Sequence, residues 1–167
     1  MGLCILRDRN MVSAMKKYRP GLALLLFLSA SVFCGPVVSA DAKELAVVVG
    51  KSFPADVLAF NDLKDIYMGE KQIIGSVRLK PIDQRDNQPI KFQFLDSVLH
   101  LSRDGYITYW NNRLFREGGI PPIAKQNSEE VILTVEEVNG AIGYVWLEEA
   151  KAARDRVKIL FTINVGP

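Results

Sequence analysis

Cysteine and histidine are nearly missing from this 167-residue chain: the cysteines are Cys4 and Cys34, and the one histidine is His100. Beyond residue 40 there is no thiol, which excludes a disulfide framework, thiol catalysis and a zinc site of the usual Cys/His kind from that part of the chain. A Ser-His-Asp triad would have to use His100, and no Gly-x-Ser-x-Gly elbow occurs. His100 is expected at a helix end, against free carbonyls or solvent. A strong charge of either sign is also lacking. Five of the 21 basic residues and one of the 19 acidic residues precede Asp41, so residues 41–167 hold 16 basic and 18 acidic residues, a net of −2. The basic pI of the whole chain therefore belongs to its first 40 residues and gives no support for nucleic-acid binding. The pairs Glu129/Glu130, Glu136/Glu137 and Glu148/Glu149 read as solvated helix faces. With no catalytic constellation, no cofactor and no metal site expected, a non-enzymatic binding or interaction role leads.

Lys16, Lys17 and Arg19 precede the apolar run Gly21–Phe33, and Val38-Ser39-Ala40 ends a stretch of small residues. This is the pattern of a secretory signal peptide. The apolar core is short for a membrane span and Gly35-Pro36 interrupts it. Phe33 is a poor residue before a lipidated cysteine. Cleavage is expected after Ala40, giving a soluble periplasmic product. Residues 1–14 read as an upstream extension, with Met11 or Met15 as alternative starts. Residues 1–40 are thus extension and signal, and residues 41–167 are one domain of ordinary size.

Leu45–Val49 is a continuous apolar run and predicts a strand buried on both faces, as in a parallel sheet. Asn61–Gly69 predicts a helix capped by Asn61, with Leu63, Ile66 and Tyr67 inward and Gly69 at its end. Val77–Ile82 predicts a strand leading into a polar loop, Asp83–Gln88. Pro89 then opens a helix, where its missing N–H costs nothing, with Asn87 or Gln88 at the cap and Ile90, Phe94, Leu95 and Val98 buried. The next helix is expected from near Ser102, with Ile107, Trp110 and Leu114 on its apolar face. Asn127-x-x-Glu130 is a capping-box pattern, followed by the stripe Val131, Ile132, Val135, Val138. Ala141–Trp146 predicts a buried strand in which Gly143 implies close approach by another backbone or a ligand. Leu147–Arg154 predicts a short helix, and the alternation Val157, Ile159, Phe161, Ile163 a last strand. Strands separated by helices argue for an α/β domain with a mainly parallel sheet, whose ligands collect beyond the strand carboxyl ends. The loop Asp83–Gln88 lies at such an end, before a helix whose N-terminal N–H groups suit anions.

Asp65-Ile66-Tyr67-Met68-Gly69, the segment through Phe92-Gln93-Phe94, and Gly140-Ala141-Ile142-Gly143-Tyr144-Val145 occur in an order that resembles the periplasmic substrate-binding proteins of phosphate ABC transporters. The chain is similar to their short, single-lobe members; Tyr109-Trp110, Gly118-Gly119 and Pro121-Pro122 add to the likeness. The resemblance implies one lobe of a type II periplasmic-binding-protein-like fold, an oxyanion ligand such as phosphate, and an ABC permease or envelope protein as partner. Where long members carry Arg-x-Asp-Gly-Ser-Gly-Thr, this chain places Gln84 at the arginine, Arg85 one place later, Asp86 at the aspartate and Asn87-Gln88-Pro89-Ile90 thereafter. Both hydroxyls and one N–H are gone. The resemblance therefore implies weak oxyanion binding at Gln84, Arg85, Asp86, Asn87 and Gln88, with Asp86 accepting a ligand proton or orienting the loop. The alternative is a protein-interaction or sensor lobe without a ligand.

Overall fold

The computed structural model describes residues 43–166; the expected signal peptide and the expected cut after Ala40 lie outside them. β1 (Lys43–Gly50) is buried from Leu45 onward. α1 (Phe60–Tyr67) buries Leu63, Ile66 and Tyr67 and turns out at Gly69, whose φ is +76°. Asn61 does not cap it. The N-cap is Ala59, whose carbonyl accepts from Leu63 N at 3.2 Å, so Asn61 lies already inside the first turn. β2 (Ile73–Ile74) and β3 (Val77–Arg78) form a small hairpin about Gly75. β4 (Lys80–Gln84) follows, so the expected strand Val77–Ile82 breaks at Leu79 and then runs on through Asp83 and Gln84. These two polar residues are strand, not loop, because both find buried partners.

α2 (Pro89–Phe94) continues into a π-helical turn, Leu95–Leu99, and the chain reverses at His100 in the left-handed region. His100 Nδ1 lies 2.9 Å from the Asp96 carbonyl, which accepts its proton. α3 (Arg103–Glu117) starts at Ser102, whose hydroxyl accepts from Gly105 N. Its inner face is Tyr106 and Trp110, not the expected Ile107 and Leu114, which stay 39% and 46% exposed. The helix is rotated so that Tyr109 and Arg113 reach the end of α1, where both donate to the Met68 carbonyl, at 2.7 and 2.9 Å. Aliphatic residues could not satisfy that terminal carbonyl.

β5 (Ile123–Lys125) is a three-residue strand that the apolar pattern did not reveal. α4 (Ser128–Glu137) is capped by Asn127, which accepts from Glu130 N at 3.0 Å; the Glu130 carboxylate reaches back one residue further than expected, to Gln126 N. β6 (Ala141–Trp146), α5 (Leu147–Ala152) and β7 (Val157–Val165) complete the chain. Gly143 has no room for a Cβ, which would overlap Val131 on α4. The close approach is thus a helix side chain, not the expected backbone or ligand, because Val131 on α4 packs directly on the strand.

The strand order is β5-β4-β6-β1-β7. β4 pairs in parallel with β5 and β6, whereas β1 is antiparallel to β6 and β7. Four strands thus share one direction and β1 opposes them. The expectation of a parallel β1 fails because an apolar run reports burial on two faces, not direction. Leu45, Val47 and Val49 face one core with α1, α2, the π-helical turn and α3; Ala46 and Val48 face a second core with α4 and α5. β7 carries a bulge opposite Val47/Val48. It shifts Phe161 and Ile163 to the first core while Ile159 packs on the second, so the alternation does not mark one face.

Candidate functional site

The chain leaving β4 turns onto the first-core face as α2, and the chain leaving the adjacent, parallel β5 turns onto the opposite face as α4. Loops that part this way open a crevice at the strand carboxyl ends, where open α/β sheets hold ligands.

Asp83 points to the first-core side and is 3% exposed. Its Oδ1 accepts from the Tyr144 hydroxyl at 2.5 Å and from Gln84 N at 2.7 Å, and its Oδ2 accepts from Lys91 Nζ at 2.8 Å. Lys91, 6% exposed, also meets Asp86 Oδ1 at 3.0 Å and lies over the Tyr106 ring. Arg103 takes the other oxygen of Asp86 at 3.2 Å. Burial, and then the Asp83 charge, push the phenols of Tyr67, Tyr106 and Tyr144 well above their ordinary pKa, so they stay neutral donors. Burial alone would raise the Asp86 carboxyl, but hydrogen bonds and charge from Lys91 and Arg103 outweigh it and hold that group below the usual carboxylate range. With both oxygens engaged, Asp86 orients the loop.

Gln84 is fully buried on the opposite side. Its Nε2 donates to the Tyr144 carbonyl at 3.0 Å and to Ser128 Oγ at 3.2 Å, and its Oε1 has no partner among the described residues. Tyr67 also joins β4 to β6, sharing its hydroxyl between the Ile82 and Ile142 carbonyls. These side chains stitch the strands where the ladder of Pro81, which has no N–H, ends.

Arg85 and Asn87 are exposed, and Asp86 and Gln88 are half-buried. Gln88 is the N-cap of α2 without a side-chain bond, and Pro89 is its first residue. Gln88 N donates to the Arg85 carbonyl and Arg85 N to the Lys125 carbonyl, both at 2.9 Å, so few backbone donors remain free. The guanidinium of Arg85 has no carboxylate partner among the described residues, in contrast to Lys91 and Arg103. The sequence reading missed Lys91, Arg103 and Tyr144. A signal existed for Lys91: it shares the stripe of Leu95 and Val98, where an apolar residue is expected, and a cation in a first helical turn opposes the dipole unless carboxylates face it.

No protein-family model and no curated protein matches the chain. Solved structures do. An ABC-type phosphate transport receptor from Vibrio cholerae superposes with a TM-score of 0.54 at 14% identity, over 70% of this chain and 45% of that one. PstS from Borrelia burgdorferi gives 0.55 at 18% identity, over 71% and 47%. The chain thus spans less than half the length of either. Over its described residues the chain has the α/β fold of a single lobe of the type II periplasmic-binding-protein kind found in phosphate-transport receptors.

Proposed function

We propose that this chain is an exported, periplasmic, non-enzymatic binding protein that takes phosphate or a similar oxyanion weakly at the β4–α2 corner. The observation that supports the reading is Arg85, an exposed guanidinium with no carboxylate partner among the described residues, set at a strand carboxyl end beside a helix start. Asn87 and Gln88 supply side-chain amides beside it. The corner is weak for a physical reason. Its other cations, Lys91 and Arg103, are held by Asp83 and Asp86, so the protein's own carboxylates take donors that an anion would need. A wet, single-lobe site also leaves charge-assisted hydrogen bonds in high dielectric. The expected dissociation constant is on the order of 0.1–10 mM. Titration calorimetry with phosphate and sulfate at low salt tests this. Arg85→Ala should abolish the heat while thermal melts stay unchanged, and Asp86→Asn, which removes a negative charge and frees Arg103 while Asp83 still holds Lys91, should tighten binding roughly 3- to 10-fold. Wild-type protein silent with both anions would end the oxyanion reading.

A second reading, an envelope interaction module, is favoured by the exposure of Phe115 at 85%, Ile120 at 78% and Ile123 at 58%, because exposed apolar clusters mark contact surfaces. An ABC permease or another envelope protein would be the partner. Co-purification with permease subunits that survives Arg85→Ala would support it.

A further inference from the structure

The two edges of the sheet differ. β5 is a three-residue edge that ends in Lys125, the short and charged kind that resists further pairing. β7 is a nine-residue edge, hydrogen-bonded on one side to β1. On its other side no group among the described residues bonds the main chain of residues 158–165. The one charged residue of β7, Lys158, is held by Asp56 and the Phe53 carbonyl, at 3.0 and 2.9 Å. The bulge opposite Val47/Val48 separates it from the stretch Phe161–Val165, which holds no charge, proline or glycine. Phe161 and Ile163 are half-buried against the first core, whose wall ends at this strand, while Thr162 and Asn164 are exposed on the other face. A row of free N–H and C=O groups is matched by another extended strand.

We propose that a second copy of this chain pairs there, the two Phe161–Val165 stretches running antiparallel about a two-fold axis at Ile163 and joining the sheets edge to edge. The stretch is complementary to itself. The axis sets Phe161 against Val165 and Thr162 against Asn164, apolar pairs on the core face and neutral polar pairs on the other. It also keeps the two Lys158 side chains apart, one beyond each end of the paired stretch. A strand paired with its own copy closes by two-fold symmetry, and the short, charged β5 edge gives the joined sheet nowhere to grow. The surface is independent of the anion corner, since β7 lies at the opposite edge of the sheet from β5 and β4.

Sedimentation velocity of the purified protein over a range of concentrations tests this. The wild type should show a reversible monomer–dimer equilibrium. Thr162→Lys with Asn164→Lys sets like charges opposite one another at both cross-strand pairs, and should weaken the dimer roughly 10-fold at low salt. Thr162→Lys with Asn164→Glu sets opposite charges there and should hold the dimer near wild-type strength. Both positions are exposed, so thermal melts should show both variants folded. A wild type that stays monomeric at every concentration would overturn the pair and leave the edge to a strand of another protein. A dimer indifferent to the sign of the charge introduced at position 164 would place the contact elsewhere and overturn the proposal as well.

Discussion

Lys91 carries two carboxylates on one buried ammonium, Asp83 at 2.8 Å and Asp86 at 3.0 Å, and Arg103 closes the chain on the solvent side. A buried ion is costly unless paired and hydrogen-bonded, so removing a partner is felt more than the pair itself contributes. Asp86 is the accessible member, and its carboxyl titrates below the usual range because Lys91 and Arg103 outweigh its partial burial. The linkage sign follows. A depressed folded-state pKa contributes stability that is present above the unfolded value and lost as pH falls through the folded one. Thermal melts between about pH 5 and 2 should therefore lose part of their acid sensitivity in Asp86→Asn, with the difference from wild type largest near neutrality and shrinking at the acid end. Parallel pH profiles for the two proteins would show that Asp86 does not carry that linkage.

At the scale of elements, the contact that positions the crevice is α4 on β6. Val131 and Val135 are buried against Gly143, where a Cβ would overlap Val131 Cγ1 and come within 3.4 Å of Val135. Gly143 is not in a left-handed conformation, so its requirement is space alone. Gly143→Ala should cost about 1–3 kcal/mol by overpacking. Val131→Ala should cost about 1–2 kcal/mol by lost burial. The double variant should cost less than the sum, because the second change vacates the room the first one needs. Urea melts of the three variants measure this coupling, and additive costs would show that the strain lies elsewhere. Because Ser128 at the start of α4 is held by Gln84 on β4, loosening α4 should also weaken anion binding at the crevice.

For the whole molecule, β1 lies between both cores, as β6 and β7 also do. Leu45, Val47 and Val49 belong to one side and Ala46 and Val48 to the other, all fully buried. A domain of this size whose two cores pack on opposite faces of one shared sheet should unfold as a unit. Far-UV circular dichroism and tryptophan fluorescence should give coincident urea transitions, with a slope of about 1–3 kcal/mol/M. Trp110 packs in the first core and Trp146 lies at the end of β6, so a layer that melted alone would separate the two signals.

Much of the architecture was written locally. Leu45–Val49, the Pro89 helix and the Asn127 cap each depend on residues within a few positions or on one face of one element, so composition and spacing suffice to place them, whereas what crowds Gly143 is set by packing across elements. The α/β class follows from the order of such elements. What the linear chain does not carry is pairing across it. The direction of β1, the three-residue β5 and the bulge in β7 are set by neighbours a hundred residues away or by a ladder too short to leave a pattern. Lys91, spaced like a core residue, becomes a bridge only once β4 brings Asp83 beneath it. The sequence by itself determined most of the helices, strands and apolar stripes, because those preferences are local, but not the face of α3 that turns inward or the short strand β5. Which charges would neutralise one another and which would face the crevice was decided by the tertiary structure, because electrostatic partners are chosen by distance in space.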